Sequence, residues 1–177
     1  GTRGFAGAIA TDNKKIADKI DCAINMGKPG STRYKEADTL GFRGASQELQ
    51  CGLAYAGFRH MDEWQKQRQK IIRKIWSELE NLPIRFIKGG KYCLSSYHKI
   101  PLEIENRNNF IKFMKANGID ARLTYVTNWS KTFGSGKTMP MSDRLSNSTC
   151  NLPLSPFFKE AEVQKIIKTV KRYFSAG

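Results

Sequence analysis

Histidine and cysteine are scarce in this sequence, which limits the metal and redox chemistry that it can support. Only two histidines and four cysteines occur among 177 residues. The cysteines stand far apart, with no Cys-x-x-Cys pair, at Cys22, Cys51, Cys93 and Cys150. A metal site is therefore not expected, and a chain of this length does not require a disulfide framework. We expect buried free thiols in a cytoplasmic protein.

Long hydrophobic runs are also missing. A helix that spans a bilayer needs about 20 consecutive apolar residues, and no segment of the sequence approaches that length. The first residues, GTRGFAGAIATDN, do not combine a basic stretch with a following apolar one. We therefore expect neither a membrane span nor a secretory signal.

Acidic residues are outnumbered by basic ones. Thirty lysines and arginines face 16 aspartates and glutamates, which gives a formal net charge of +14. The basic residues concentrate at 66–74 and 159–172, where apolar residues recur at helical spacing. These charges are expected on the solvated faces of two helices. Because a basic surface also attracts polyanions, a nucleic-acid-binding domain stays an alternative, although the sequence contains no recognisable DNA- or RNA-binding motif.

The sequence has enough apolar residues for a folded domain. Hydrophobic residues make up 40% of the chain, which suits a globular protein, and the length fits one domain or one domain plus a fragment. Their spacing predicts both helices and strands. Predicted helices cover residues 12–26, 45–58, 61–82, 106–117, 142–147 and 159–174, and predicted strands cover 5–11, 84–87, 92–104 and 121–127.

Capping and turn residues predict where these elements begin and end. Asp12 is expected to cap the first helix, and Asp62 is expected to cap the third. The glycine-rich segment 27–44 predicts a loop and a domain boundary. A tight turn at Gly89 and Gly90 is expected to join two strands, and residues 128–141 are expected to form a loop.

One glycine-containing segment resembles part of a phosphate-binding loop, but it does not match the complete motif. Gly136, Lys137 and Thr138 match the end of a Walker A motif, but Lys131 stands where the first glycine of that motif is required. The segment also runs into a proline instead of opening a helix. No nucleophile with a paired base and no carboxylate pair stands out elsewhere. The residues alone therefore indicate a basic α/β or α+β domain without a definite activity.

Short motifs in a fixed order are more informative than any of them singly. They are GFAG at 4–7 leading into AIATD, NMG at 25–27, GFRGAS at 41–46 followed by ELQ, Arg68, SYH at 96–98, GI at 118–119 with Arg122 and Tyr125, and LPL at 152–154 with Pro156. In this order, the chain closely resembles the C-terminal part of the DegT/StrS-type sugar aminotransferases. Those proteins are pyridoxal phosphate enzymes of fold type I.

The resemblance implies a fold and a division into domains. The expected class is α/β, with the end of a large cofactor-binding domain followed by a small α+β domain. Residues 1–44 would close the large domain and form the linking loop. Residues 45–177 would form the small C-terminal domain.

The resemblance also implies an activity. In the family, pyridoxal phosphate forms a Schiff base with a lysine and serves as an electron sink. That lysine lies shortly before the glycine-rich segment, which would place it upstream of Gly1, so no residue of this chain takes its role and the chain alone is expected to be inactive. The implied reaction moves an amino group from glutamate or glutamine to a nucleotide-linked keto-sugar. The implied partners are the upstream half of the enzyme and a second copy in a homodimer with shared active sites.

Three site residues follow from the same resemblance. Arg43 stands where the family has a phosphate-binding asparagine, which implies that Arg43 holds the phosphate of pyridoxal phosphate across the dimer interface. Arg122 and Tyr125 are implied at the substrate entrance. Met26 and Ala45 replace a histidine and an arginine of the family. These differences keep two alternatives open: a dehydratase or epimerase of the same fold, and a non-catalytic homologue.

Overall fold

The computed structural model describes residues 7–30, 36–44, 47–123, 129–134 and 139–175. The chain divides into two compact units, Gly1–Met61 and Asp62–Gly177. The predicted boundary after residue 44 concerns the domains of the whole enzyme fold, and it stays a prediction.

The first unit contains helix α1 (Lys14–Ile24) and helix α2 (Glu48–Arg59). The side chain of Asn13 caps α1, because its Oδ1 accepts hydrogen bonds from the backbone N–H groups of Lys15 at 3.0 Å and Ile16 at 3.3 Å. An asparagine at this position satisfies donors that have no partner within the helix. The prediction that Asp12 caps the helix is therefore wrong by one residue.

The strand predicted at 5–11 is not present over the part of it that the structure describes. Residues 7–11 form no strand, and Ile9 is 72% exposed. An apolar run becomes a buried strand only when neighbouring strands pair with its backbone. No strand lies within the described residues of this unit to provide that pairing.

The second unit combines helices with a small antiparallel sheet. Its elements in chain order are α3 (Met61–Leu79, beginning on the last residue of the first unit), β1 (Arg85–Phe86), β2 (Ile100–Glu103), α4 (Arg107–Ala116), β3 (Arg122–Leu123), α5 (Trp129–Phe133), α6 (Pro140–Ser148), β4 (Thr149–Leu152) and α7 (Glu160–Ser175). The prediction that Asp62 caps α3 is wrong, because Asp62 is the second residue of the helix. Its acidic side chain in the first turn still favours the helix N-terminus.

The sheet has the strand order β1-β2-β4-β3, and every neighbouring pair is antiparallel. Pro101 of β2 and Arg122 of β3 both lie opposite Asn151 of β4. Directly opposed residues of an antiparallel sheet project from the same face. Pro101, Asn151 and Arg122 therefore form one row across three strands.

The core of the second unit lies between the sheet and helices α3, α4 and α7. Each helix turns one apolar stripe inward, as the helical spacing of its sequence predicts. The fully buried large side chains are Phe110, Ile72, Ile75, Leu79, Ile100, Leu102, Met114, Leu152, Ile167, Val170 and Cys150. This packing holds the sheet in a fixed position, and the polar face of the unit lies on that sheet.

Three further predictions in this unit are wrong. The strand predicted at 92–104 begins only at Ile100. Residues 87–99 form an irregular loop, and its hydrogen-bonded turn, in which the N–H of Cys93 donates to the carbonyl of Gly90 at 2.9 Å, lies beyond the predicted position at Gly89 and Gly90. Tyr97 interrupts the extended backbone there with a φ of +39°. The predicted loop 128–141 contains α5 and the start of α6, which opens on Pro140, a residue suited to the first helical position.

Within the described ranges, no helix is both long enough and apolar enough to cross a membrane. The same residues bring together no cluster of three or more histidine, cysteine, aspartate or glutamate side chains able to hold a metal ion.

Candidate functional site

Arg43 is held beside the C-terminal end of α1 by backbone hydrogen bonds on both sides. It pairs with Asn25 in an isolated antiparallel bridge. The N–H of Phe42 donates to the carbonyl of Ala23 at 2.8 Å, and the N–H of Gly44 donates to the carbonyl of Ile24 at 2.8 Å. The backbone of Arg43 is thus fixed between two anchored neighbours.

Two glycines allow this loop to approach the helix end so closely. Gly27 has a φ of +79°, and a Cβ placed on it would come within 1.8 Å of the carbonyl oxygen of Thr39. A Cβ on Gly41 would lie 2.0 Å from the backbone nitrogen of Gly27. Only residues without a side chain fit both positions. The neighbouring Met26 also has a positive φ of 62°, which is unusual for a side-chain-bearing residue.

The side chain of Arg43 is exposed, and no acidic partner for it occurs among the residues that the structure describes. An unpaired guanidinium offers several N–H donors in a planar fork that matches the oxygens of phosphate or carboxylate. A fixed backbone with an uncommitted cationic side chain is suited to binding an oxyanion.

Arg122 differs from Arg43, because it already has an anionic partner. Its Nε donates to Asp120 Oδ2 at 2.8 Å, and its Nη2 lies 2.7 Å from the same oxygen. The hydrogen bond from Arg122 lowers the pKa of Asp120, and the same pair raises the pKa of Arg122. Both side chains are exposed, so the pair is open to exchange with a ligand anion. Tyr125, the other predicted entrance residue, lies outside the described residues.

A groove of about 490 Å³ opens between the irregular loop 87–99 and the sheet. Its lining includes Lys88, Tyr97, His98, Lys99, Pro101 and Asn151. Pro101 and Asn151 belong to the row that continues to Arg122, so Arg122 lies one strand, about 4.8 Å, beyond the groove floor. No pattern in the sequence predicts this groove, because only folding brings the loop 87–99 beside Pro101 and Asn151.

Helix α3 holds the groove wall in place. Arg68 Nε donates to the carbonyl of Ser96 at 3.1 Å, and Gln69 Nε2 donates to the carbonyl of Ser95. The ring of Trp76 meets the ring of Tyr97 edge-on, with 5.4 Å between centroids. These contacts order a segment that has no regular secondary structure of its own.

Tyr97 connects the two sides of the loop. Its hydroxyl accepts a hydrogen bond from the N–H of Gly89 at 3.0 Å. A φ of +39° is unfavourable for a tyrosine, by about 1 kcal/mol or more. The contacts with Trp76 and Gly89 therefore stabilise a backbone conformation that would otherwise be avoided.

A second polar cluster lies at the other end of β2. Glu103 accepts hydrogen bonds from Arg85 Nε at 2.6 Å and from Ser148 Oγ at 2.9 Å, and Arg144 Nε lies 3.2 Å from it. Burial by itself raises the pKa of Glu103, but the hydrogen bonds from Arg85 and Ser148 and the two guanidinium charges together lower it below its usual value. Each charge in this cluster has a partner, so the cluster is structural.

An aromatic pair is exposed on α5. The rings of Trp129 and Phe133 stack with centroids 5.3 Å apart and planes 11° from parallel. The two residues are 62% and 76% exposed. Residues four apart on a helix are neighbours, which brings these two side chains together. The prediction of a loop at 128–141 did not include this pair.

Comparison with known proteins identifies the family to which this chain is similar. The DegT/DnrJ/EryC1/StrS aminotransferase family model matches residues 2–171. The erythromycin biosynthesis sensory transduction protein EryC1 of Saccharopolyspora erythraea is 23% identical over 178 residues, covering 97% of this chain and 48% of that protein. The dTDP-3-amino-3,6-dideoxy-alpha-D-galactopyranose transaminase of Aneurinibacillus thermoaerophilus is 20% identical over 179 residues, covering 94% of this chain and 46% of that protein. The chain thus spans about half the length of the curated relatives it matches.

Solved structures share the fold. An aminotransferase of the DegT/DnrJ/EryC1/StrS group from Brucella abortus has a TM-score of 0.82 at 21% sequence identity, covering 92% of this chain and 44% of that one. This likeness confirms the predicted fold class. Aminotransferases of this group depend on pyridoxal phosphate. Because the family match extends over residues 2–171, the chain belongs to the DegT/DnrJ/EryC1/StrS aminotransferase family.

Proposed function

We propose that this chain is the C-terminal part of an aminotransferase that moves an amino group from glutamate or glutamine to a nucleotide-linked keto-sugar. The observation that carries the proposal is the family match over residues 2–171. The name of the Aneurinibacillus relative, a transaminase of a dTDP-linked amino sugar, supports a nucleotide-linked substrate.

Arg43 is proposed to hold the phosphate of pyridoxal phosphate. The fit rests on two features: a backbone anchored at Phe42 and Gly44, and an exposed guanidinium that no described acidic residue neutralises. A phosphate dianion would accept charge-assisted hydrogen bonds from this guanidinium. When bound, the cofactor supplies the electron sink for moving an amino group. The contribution of Arg43 is binding and orientation.

Arg122 is proposed to meet the substrate at the entrance, together with Tyr125. In the absence of substrate, Asp120 keeps the Arg122 guanidinium oriented through contacts of 2.7–3.0 Å. An incoming carboxylate or phosphate would share or replace that partner, since exchange between exposed ion pairs changes the free energy little.

We further propose that catalysis requires more than these 177 residues. The resemblance assigns the Schiff-base lysine to no residue of this chain, and the relatives are about twice as long. A complete enzyme would join this part to a cofactor-binding half, in a cytoplasmic homodimer. Residues 1–177 alone should then bind no pyridoxal phosphate covalently and transfer no amino group.

An amino-transfer assay tests the reaction. The native gene product would be incubated with pyridoxal phosphate, glutamate or glutamine, and a panel of dTDP-, UDP- and GDP-linked keto-sugars. We expect the 2-oxo acid and an amino sugar, detected by mass spectrometry. Loss of water from the sugar without gain of nitrogen would instead establish the dehydratase alternative. Bound cofactor with no conversion of any sugar would favour the non-catalytic homologue.

Borohydride reduction tests the cofactor linkage separately. Reduction fixes pyridoxal phosphate on the lysine that holds it, and the denatured protein is then weighed by mass spectrometry. We expect a phosphopyridoxyl group on a lysine outside residues 1–177. A modified lysine within this chain, or no modification of the complete gene product, would contradict the proposal.

A further inference from the structure

Asn117 and Gly118 form the single Asn–Gly pair of the sequence, at the C-terminal end of α4. Asparagine is among the chemically least stable side chains of a protein. The backbone nitrogen of the following residue can attack its Cγ, and this attack is least hindered when that residue is glycine, which has no side chain. The pair is therefore the place in this chain where spontaneous loss of the amide is chemically most favoured.

The folded backbone holds the two reacting atoms apart. Asn117 has a ψ of 16°, so the Gly118 nitrogen nearly eclipses the nitrogen of Asn117 itself and lies away from Cβ. A five-membered ring through Cγ closes only after a large rotation about ψ. The N–H of Gly118 also donates to the carbonyl of Lys115 at 2.9 Å, and its φ of +71° fits the left-handed position after a helix. The reaction thus requires the last turn of α4 to open.

Two hydrogen bonds hold the side chain of Asn117, and one of them connects α4 with α7. Its Nδ2 donates to the carbonyl of Phe113 at 2.8 Å, and its Oδ1 accepts from Arg172 Nη2. The Arg172 guanidinium also lies over the Phe113 ring, 5.6 Å from its centre. A hydrogen bond to Oδ1 makes Cγ more reactive, but this effect has no consequence while the ring cannot close. We therefore expect Arg172 to slow the reaction by keeping the turn closed.

We propose that Asn117 is a site of spontaneous deamidation, whose rate is set by opening of the contact between the last turn of α4 and Arg172. The Gly118 nitrogen gives up its proton and forms a bond to Asn117 Cγ. The Cγ–Nδ2 bond breaks, and the amide nitrogen leaves with that proton as ammonia, so that a succinimide remains. Water then opens the ring at either carbonyl carbon. One opening gives aspartate, and the other gives isoaspartate, in which the main chain runs through Cβ and Cγ.

Isoaspartate at position 117 would disturb the segment that carries Arg122. The main chain becomes longer by one carbon atom, which displaces Gly118 from the position that ends α4. Ile119 and Ala121 follow directly, and they are only 4% and 0% exposed. Closely packed side chains cannot follow such a shift without loss of contacts. The isoaspartate form should therefore be less stable, with Arg122 displaced from its place in β3.

The rate of deamidation in the native gene product tests the proposal. The protein is kept for weeks at neutral pH, and peptide mapping by mass spectrometry follows conversion of the amide to a carboxylic acid. A synthetic peptide of residues 112–123 gives the rate without the fold. We expect Asn117 in the folded protein to convert at least about tenfold more slowly than in the peptide, since reaction requires local opening. The same rate in both would refute protection by the fold.

Arg172→Met tests the role of α7, because it removes the donor but keeps an unbranched side chain. We expect deamidation of Asn117 and hydrogen exchange of the Gly118 amide to accelerate by the same factor, roughly three- to tenfold, as loss of one hydrogen bond allows. Equal factors indicate a shared opening, which a direct chemical role of Arg172 would not produce. Lys168→Met is the matched control: it removes a positive charge from an exposed position of the same helix and should change both rates less than twofold.

Three results with these variants would overturn the proposal. Slower deamidation in Arg172→Met would establish that the guanidinium activates Cγ instead of holding the turn closed. Equal rates in Arg172→Met and Lys168→Met would remove the role of the contact with α7. An Asn117 that stays intact in both variants, while the peptide converts, would show that the turn does not open far enough to react.

The products themselves test the consequence for the fold. The aspartate and isoaspartate forms are separated by chromatography, and their thermal unfolding is compared with that of Asn117→Asp. This variant has the same carboxylate on an unchanged main chain, so we expect the isoaspartate form to unfold at a lower temperature. Equal unfolding temperatures would refute the displacement of the segment from Gly118 to Arg122. None of these measurements uses amino transfer, so their outcome is independent of the proposed function.

Discussion

The pKa of Glu103 reflects two opposing effects, its burial and the charges that surround it. Its side chain is 14% exposed and is surrounded by Arg85, Arg144 and Ser148. Because its pKa is lowered in the folded protein, the carboxylate contributes stability above its usual pKa. That contribution is lost as the pH falls through the lowered folded-state pKa.

Replacement of Glu103 tests the direction in which stability depends on pH. We expect Glu103→Gln to lower the free energy of unfolding at neutral pH by about 1 kcal/mol, a value that allows for solvent screening. The difference from the unmodified protein should begin to shrink as the pH falls below about 4, the usual range of a glutamate pKa. It should be smallest below the lowered folded-state pKa, where the Glu103 carboxyl is neutral in both the folded and the unfolded protein. Urea unfolding over a pH series measures it, with Glu105→Gln as an exposed control. A difference independent of pH would contradict the assignment.

Cys150 shows the effect of burial on a thiol. The residue is fully buried, and burial raises the pKa of its thiol to about 12, although Arg107 acts in the opposite direction. Since the thiolate is the reactive form, we expect Cys150 to resist a thiol reagent at about pH 8, near the usual thiol pKa, while exposed Cys51 and Cys93 react. Peptide mapping measures the labelling, and denatured protein is the control. Equal labelling of Cys93 and Cys150 would contradict this expectation.

At the scale of elements, the loop that carries Arg43 depends on Gly27. We expect Gly27→Ala to open this loop, because its Cβ would meet the carbonyl of Thr39 at 1.8 Å. Gly30→Ala is the matched control, with a φ of +71° but open space around its Cβ. Backbone strain alone should lower the free energy of unfolding of Gly30→Ala by about 1 kcal/mol. Gly27→Ala should be destabilised considerably more, because the overlap with Thr39 adds to the same strain. Limited proteolysis within 36–44 measures the opening, and equal rates in both variants would contradict the argument.

Helices with local stop signals were predictable from sequence. Helix α4 was predicted at 106–117 and spans Arg107–Ala116, because Gly118, with a φ of +71°, provides the left-handed residue that ends it. Helix α7 lies within one residue of its predicted ends. The start of β2 was not predictable, since Tyr97 takes its conformation from contacts with Trp76, in another element.

The candidate site was only partly predictable for the same reason. The resemblance pointed to Arg43 and Arg122, but the bridge from Arg43 to Asn25 and the ion pair with Asp120 depend on the folded backbone. The groove joins Lys88 and Lys99 to Asn151, which is distant in sequence. No local pattern marks a lone asparagine in an apolar strand as part of the lining of a groove.

At the scale of the whole molecule, the two units differ in how they are stabilised. Every buried hydrophobic side chain of the described residues belongs to the second unit, whereas Leu49, Tyr55 and Phe58 of α2 are at least 65% exposed. Apolar burial is the main stabilising contribution to folding. The second unit therefore has the core needed for independent folding.

Separate expression of the units tests this difference. We expect residues 62–177 to unfold cooperatively on heating and residues 1–61 to show no cooperative transition. Within 62–177, Leu79→Ala should lower stability by about 2–5 kcal/mol, because Leu79 is fully buried. Leu94→Ala, at a residue 75% exposed, should change it by less than about 0.5 kcal/mol. Cooperative unfolding of 1–61 would contradict the argument.

The net charge of +14 predicts attraction to polyanions. Lys66, Lys70 and Arg73 line a shallow depression on α3 and contribute to this surface. We expect weak, sequence-independent binding of single-stranded DNA that disappears by roughly 0.2 M salt. Fluorescence anisotropy over a salt series measures it. Tight binding that resists salt would favour the nucleic-acid-binding alternative.

The strand order β1-β2-β4-β3 has a consequence for synthesis on the ribosome. Strand β4 lies between β2 and β3 but is the last of the four to be translated. Until Thr149–Leu152 emerges, the inner edges of β2 and β3 have no strand to pair with, and unpaired edges promote association between nascent chains. The sheet therefore assembles late, and a pause in translation before residue 149 should increase association between nascent chains, because it prolongs the time for which those edges stay unpaired.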